Sequence, residues 1–148
     1  MTRLVIAIAI VALVAVAALI ARRRQAPDAP TQRNYSVPEQ VDRADFPHPD
    51  TPWLVAVFTS DVCDRCCDVW SKAQVVASDQ VAVTEAEFVR DRAIHDKYRI
   101  DAVPTTVIVD ADGVTRRSFL GPMTATDLWA AVAEVREPGS TPGACEHH

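Results

Sequence analysis

Glycine is scarce in this chain, four residues in 148, and aromatic residues make up only 6%. So few glycines leave no glycine-rich loop of the kind whose backbone amides close around a phosphate. The thin aromatic content removes the rings that nucleic-acid-binding surfaces interleave with a basic stripe, and no such stripe is present. No segment repeats another, which excludes stacked-repeat architectures. A disordered chain is excluded as well: 49% of the residues are apolar, and 148 residues suffice for one compact domain with extensions.

One stretch lacks polar side chains altogether. Residues 4 to 21, LVIAIAIVALVAVAALIA, run for eighteen positions without one. As a helix this segment is about 27 Å long, close to the roughly 30 Å of a bilayer's hydrocarbon core, and it predicts a single transmembrane helix. A cleaved signal peptide has a shorter apolar region and a small-residue cleavage site, whereas Arg22, Arg23 and Arg24 stand here. A buried core helix would carry a polar interruption. Charge divides along the chain: residues 1 to 35 hold five arginines and one aspartate, net +4, and the rest ten basic and nineteen acidic residues, net −9. By the positive-inside rule the expected location is the cell membrane, single-pass, with the acidic C-terminal domain on the cytoplasmic face. An acidic domain is not expected to bind nucleic acid, and a monomer is expected.

Residues 22 to 37 read as a polar juxtamembrane linker. After the prolines of FPHPDTP, the apolar run at 53 to 59 predicts a buried strand. The next segment keeps Cys66, Trp70, Ala73 and Ala77 at helical spacing, with Ser60 or Asp61 as N-cap. A strand at 80 to 88, a helix at 89 to 100, strands at 105 to 109 and 114 to 120 around Asp112-Gly113, and a helix capped by Thr124 or Thr126 follow. That last helix presents Leu128, Ala131, Val132 and Val135 on one face, and residues 138 to 148 form a flexible tail. This order predicts an α/β domain with a mixed sheet covered by helices on both faces.

Cys63, Cys66 and Cys67 crowd five consecutive positions at the first strand-to-helix junction. A C-x-x-C spacing serves disulfide exchange and zinc binding alike. Combined with Tyr98-Arg99-Ile100-Asp101-Ala102-Val103-Pro104-Thr105 some forty residues later, the Asp-Gly hairpin and the final helix, it resembles the thioredoxin family, and more narrowly its membrane-anchored bacterial members. The resemblance covers roughly residues 38 to 137. It implies a thioredoxin-like three-layer α/β/α fold, exchange of protein thiols and disulfides without a cofactor, and an electron donor or acceptor that the sequence does not identify. Cys63 is then the nucleophile and Cys66 the resolving thiol. The resemblance also implies a cis bond between Val103 and Pro104, with the Val103 backbone pairing with substrate.

The physical chemistry of the pair agrees. A cysteine at a helix's first turn meets free amides and the positive end of the dipole, which favour a thiolate. A thiol three residues on is within reach of a disulfide. Cys67 is expected to be a packed spectator thiol rather than a redox partner, and His48 and His95 solvated surface residues. The chain departs from the thioredoxin pattern in reading V-C-D-R-C where W-C-G-P-C is usual, and in placing Val57 where the family has a buried acid. Resolution of a mixed disulfide is therefore expected to be slow. Two alternatives remain: a docking module whose cysteines are structural, and a zinc or copper carrier that adds Cys145, His147 and His148 of the tail to the C-x-x-C.

Overall fold

The structure, a computed structural model, describes residues 35–139. The expected membrane helix at 4–21, most of the linker and the tail with Cys145, His147 and His148 lie outside the described residues. Among the described residues no helix is long and apolar enough to cross a membrane.

A 3-10 turn at Arg43–Asp45 precedes the alternating elements β1 (Trp53–Thr59), α1 (Cys66–Gln74), β2 (Val81–Glu87) and α2 (Arg92–Tyr98). The chain then forms a hairpin of β3 (Thr105–Val109) and β4 (Thr115–Leu120) and ends in α3 (Ala125–Arg136). The sheet order is β2-β1-β3-β4, with β1 and β2 parallel and the other pairs antiparallel. This is the mixed sheet expected. Residues 54 to 59 of β1 are all buried, because both faces of this central strand are covered. Leu54, Ala56 and Phe58 join Val107 and Val109 in one core, against which Ile94 and Tyr98 of α2 pack. Val55 and Val57 join Ile108 in the other, closed by Val69 and Ala73 of α1 and by Leu128 and Val132 of α3. The strand's alternation thus builds two cores from one apolar run.

The entry end of the sheet, where β1 begins, is held by polar contacts. Buried Arg43 donates to the carbonyls of Asp110 at 2.9 Å, Thr51 at 2.8 Å and His48 at 3.3 Å, tying the proline-rich run to the β3–β4 turn. Asp110 accepts from the amides of Asp112 and Val114 at 3.0 and 2.9 Å and pairs with Arg116 at 2.6 Å. Burial pushes the Asp110 carboxyl upward, but the Val114 amide, the Arg116 guanidinium and the Asp112 amide outweigh it and hold the group below the usual aspartate range. Gly113 has φ +83, and a Cβ there would meet the Val41 carbonyl oxygen at 2.0 Å, so only glycine fits the turn.

Several local expectations need correction. The first helix starts at Cys66 rather than after Ser60 or Asp61, because two successive turns occupy residues 60 to 66. It stops at Gln74, which leaves Ala77 exposed, and Val69 takes its place beside Cys66 and Ala73 on the buried face. The second helix is shortened to Arg92–Tyr98 by a turn at 88 to 91 and by Arg99, whose left-handed φ of 53° ends it. His95 is not a surface residue: it is 1% exposed, and its Nε2 donates to the Ala86 carbonyl at 2.8 Å.

Candidate functional site

Strand β1 ends at Thr59, and the chain leaves the sheet through a turn in which the Cys63 amide donates to the Ser60 carbonyl at 3.1 Å. A second turn follows at once, the Cys66 amide donating to the Cys63 carbonyl, also at 3.1 Å. Cys63 and Cys66 are joined as a disulfide, with Cα atoms 5.4 Å apart. Since Cys66 is the first residue of α1, the bond places the Cys63 sulfur at the helix N-terminus, where Arg65 caps the backbone without a side-chain hydrogen bond. The two sulfur-bearing residues differ in access: Cys63 is half-buried, Cys66 is 2% exposed. Cys67, expected to be packed, is exposed instead, because it lies one position past Cys66 and so on the outer side of the helix.

Antiparallel pairing of Phe58 with Thr105 brings the start of β3 to the same end of the sheet. Here Val103-Pro104 is a cis peptide bond, with Pro104 buried and Val103 half-buried. The preceding loop is fixed by the Thr105 hydroxyl, which donates to the Ala102 carbonyl at 2.8 Å. Ser60, Phe88, Ile100, Asp101, Ala102 and Val103 line a hollow of about 230 Å³. Ser60, the origin of the cysteine turn, and Val103 therefore share one concavity. A larger hollow, about 640 Å³ beside Trp53, Asp110 and Arg116, lies at the entry end and has no cysteine in its lining.

Phe88, one wall of the site's hollow, is held from two sides. The His95 ring meets it edge-on at 5.3 Å, as it does Phe58, and the Arg92 guanidinium stands 4.7 Å from its centre. His95 is thus a support that sequence reading missed: polar residues dominate its helix, and only the tertiary contact with Phe58 turns this one inward. Val57 is fully buried, between Glu85 of β2 and Thr106 of β3 in register. Its neighbour Thr106 keeps a buried hydroxyl with no hydrogen-bond partner, while Glu85 accepts from the Thr59 hydroxyl at 2.9 Å. Among the described residues no three His, Cys, Asp or Glu side chains gather as a metal site.

No family model matches the chain, and no curated protein matches it. Solved structures do. A mutant thioredoxin from Halobacterium salinarum NRC-1 superposes with a TM-score of 0.54 at 20% identity, over 67% of this chain and 93% of that one. The germline-specific thioredoxin Deadhead of Drosophila melanogaster gives 0.52 at 20% identity, over 59% and 84%. A malarial protein gives 0.51 at 13% identity, over 57% and 97%. At these identities the likeness is one of fold, and the described domain has the thioredoxin-like α/β fold.

Proposed function

We propose that this chain is a membrane-anchored thiol-disulfide oxidoreductase that exchanges disulfides with protein substrates through Cys63 and Cys66. The observation that carries the reading is the unequal access of the two cysteines across one closed disulfide at the mouth of α1. In the reduced protein the Cys63 thiolate attacks a substrate disulfide, forming a mixed disulfide and expelling one substrate thiolate, which takes a proton from water. The Cys66 thiolate then attacks the Cys63 sulfur, closing the Cys63–Cys66 bond and releasing the second substrate thiol. Two electrons pass to the substrate, and the same steps reversed oxidise a dithiol. A separate protein dithiol or disulfide restores the starting state. Val103 and its hollow receive the substrate segment next to the reacting sulfur, and residues 4–21 tether the domain to the cytoplasmic face of the cell membrane.

The test is trapping. Cys66→Ser should accumulate covalent adducts with protein substrates, seen on non-reducing gels after acid quenching, because a serine hydroxyl cannot displace the mixed disulfide. Cys63→Ser should give none. Adducts that persist in Cys63→Ser would overturn the nucleophile assignment, and variants that lose stability without trapping anything would point to a structural disulfide.

A further inference from the structure

His95 takes no part in the exchange steps, yet it is packed or bonded to two walls of the hollow. Its Nε2 bond to the Ala86 carbonyl, 2.8 Å long, ties the ring to β2 two residues ahead of Phe88. So anchored, the ring stands at 90° to Phe88 and at 89° to Phe58, with centroids 5.3 Å apart in both pairs. Phe58 is fully buried in the sheet, whereas Phe88 is half-buried and lines the hollow. The second wall is reached through the backbone: the Ile100 amide donates to the His95 carbonyl at 2.9 Å, just past the left-handed Arg99 that ends α2. Nδ1 is buried with no hydrogen bond. An aliphatic side chain would fill this space without burying an unpaired nitrogen, so bulk alone does not account for an imidazole here. What the ring adds is a fixed rotation: its bond to the strand orients it, and the perpendicular ring contacts pass that orientation to Phe88.

We infer that His95 is a positioning residue for peptide substrates: its ring, anchored on Ala86 and packed on Phe58, sets the Phe88 wall of the hollow that receives the segment flanking a substrate cysteine. The Phe88 amide donates to the Thr59 carbonyl at 2.9 Å, which fixes the backbone and leaves the direction of the side chain to its ring contacts. Of these, the Arg92 guanidinium is the loose one: it is 62% exposed and shared with Asp96 at 3.2 Å. The contact through buried His95 is the rigid one. Without that ring Phe88 is free to change rotamer, and the hollow loses its shape for a peptide. A small dithiol, which does not fill the hollow, needs no such wall.

The inference rests on the proposed exchange activity, and the experiment separates the two. The oxidised full chain is mixed with an excess of a reduced Cys-x-x-Cys peptide or of dithiothreitol; either dithiol passes two electrons and two protons to the Cys63–Cys66 pair and closes to its own disulfide. Rates are read from acid-quenched, alkylated samples over a series of dithiol concentrations. In His95→Gln the rate constant for peptide relative to dithiothreitol should fall about fivefold, the size of one aromatic pair contact, through a higher half-saturating peptide concentration and not a lower limiting rate. Phe88→Leu should lower the same ratio by a similar factor, and the double variant should fall no further than either one, because His95 acts through Phe88. An unchanged ratio in either single variant, or a double variant whose loss is the product of the two, overturns the inference. A wild type reduced by neither dithiol overturns the exchange reading, and the inference with it. A second measurement needs no variant: NMR of the oxidised wild type titrated with the same peptide carrying serine for cysteine. The His95 ring signals and the Ile100 amide should shift along one saturation curve, and ring signals that stay still while the Ile100 amide moves sink the inference.

Discussion

At the scale of the residue, Val57 is the informative position. It is fully buried beneath the site, flanked in register by Glu85 and by Thr106, whose hydroxyl lacks a partner. In the proposed cycle Cys66 must lose its proton before it resolves the mixed disulfide, and Val57 offers no group to take it. Val57→Asp should therefore quicken the resolving step in stopped-flow measurements. It should also lower stability by about 1 to 3 kcal/mol in urea unfolding, the cost of a buried polar group that finds only partial compensation, here from the Thr106 hydroxyl. A wild type that already resolves rapidly would remove the reason for the substitution. The cysteine pair was legible in the sequence because its spacing is local. The burial of His95 and the exposure of Cys67 were not: a helical residue's environment depends on which face packs, and a one-position shift inverts it.

At the scale of the element, strands were read to within a residue or two because β-branched runs bounded by turn residues have few alternative uses. Asp112-Gly113 gave the hairpin for the same local reason. Helix starts were harder, as successive turns at 60 to 66 look helical in pattern until the disulfide closes them. The β3–β4 turn also carries a prediction. Asp110 titrates below the usual aspartate range in the fold, so its contribution is present above the unfolded value, near 3.8, and is lost as pH falls through the lowered folded value. Urea midpoints of the wild type should thus drop in acid. Asp110→Asn should cost about 1 to 3 kcal/mol at neutral pH, through its bonds to the Val114 and Asp112 amides and to Arg116, and should flatten that acid dependence. An equally steep fall in the variant would assign the acid sensitivity to other carboxylates.

At the scale of the whole molecule, the membrane topology is the open proposal, and exposed Cys67 supplies a reporter on the domain. With the arginine excess on the C-terminal side of residues 4–21, a membrane-impermeant thiol reagent applied to intact cells should leave Cys67 unlabelled and should label it after lysis. Labelling before lysis would place the domain on the opposite face, where disulfides persist, and turn the exchange toward oxidation.

The polar lock of Arg43, Asp110 and Gly113 occupies the end of the sheet where β1 begins, and the disulfide with its hollow occupies the end where β1 finishes. Seven residues of fully paired strand separate them. Such a division lets a lineage drift at one end without touching the other. Substitutions that firm up the entry end supply a reserve of stability, and that reserve tolerates experiments in sequence around the cysteines, where a new partner protein would be met.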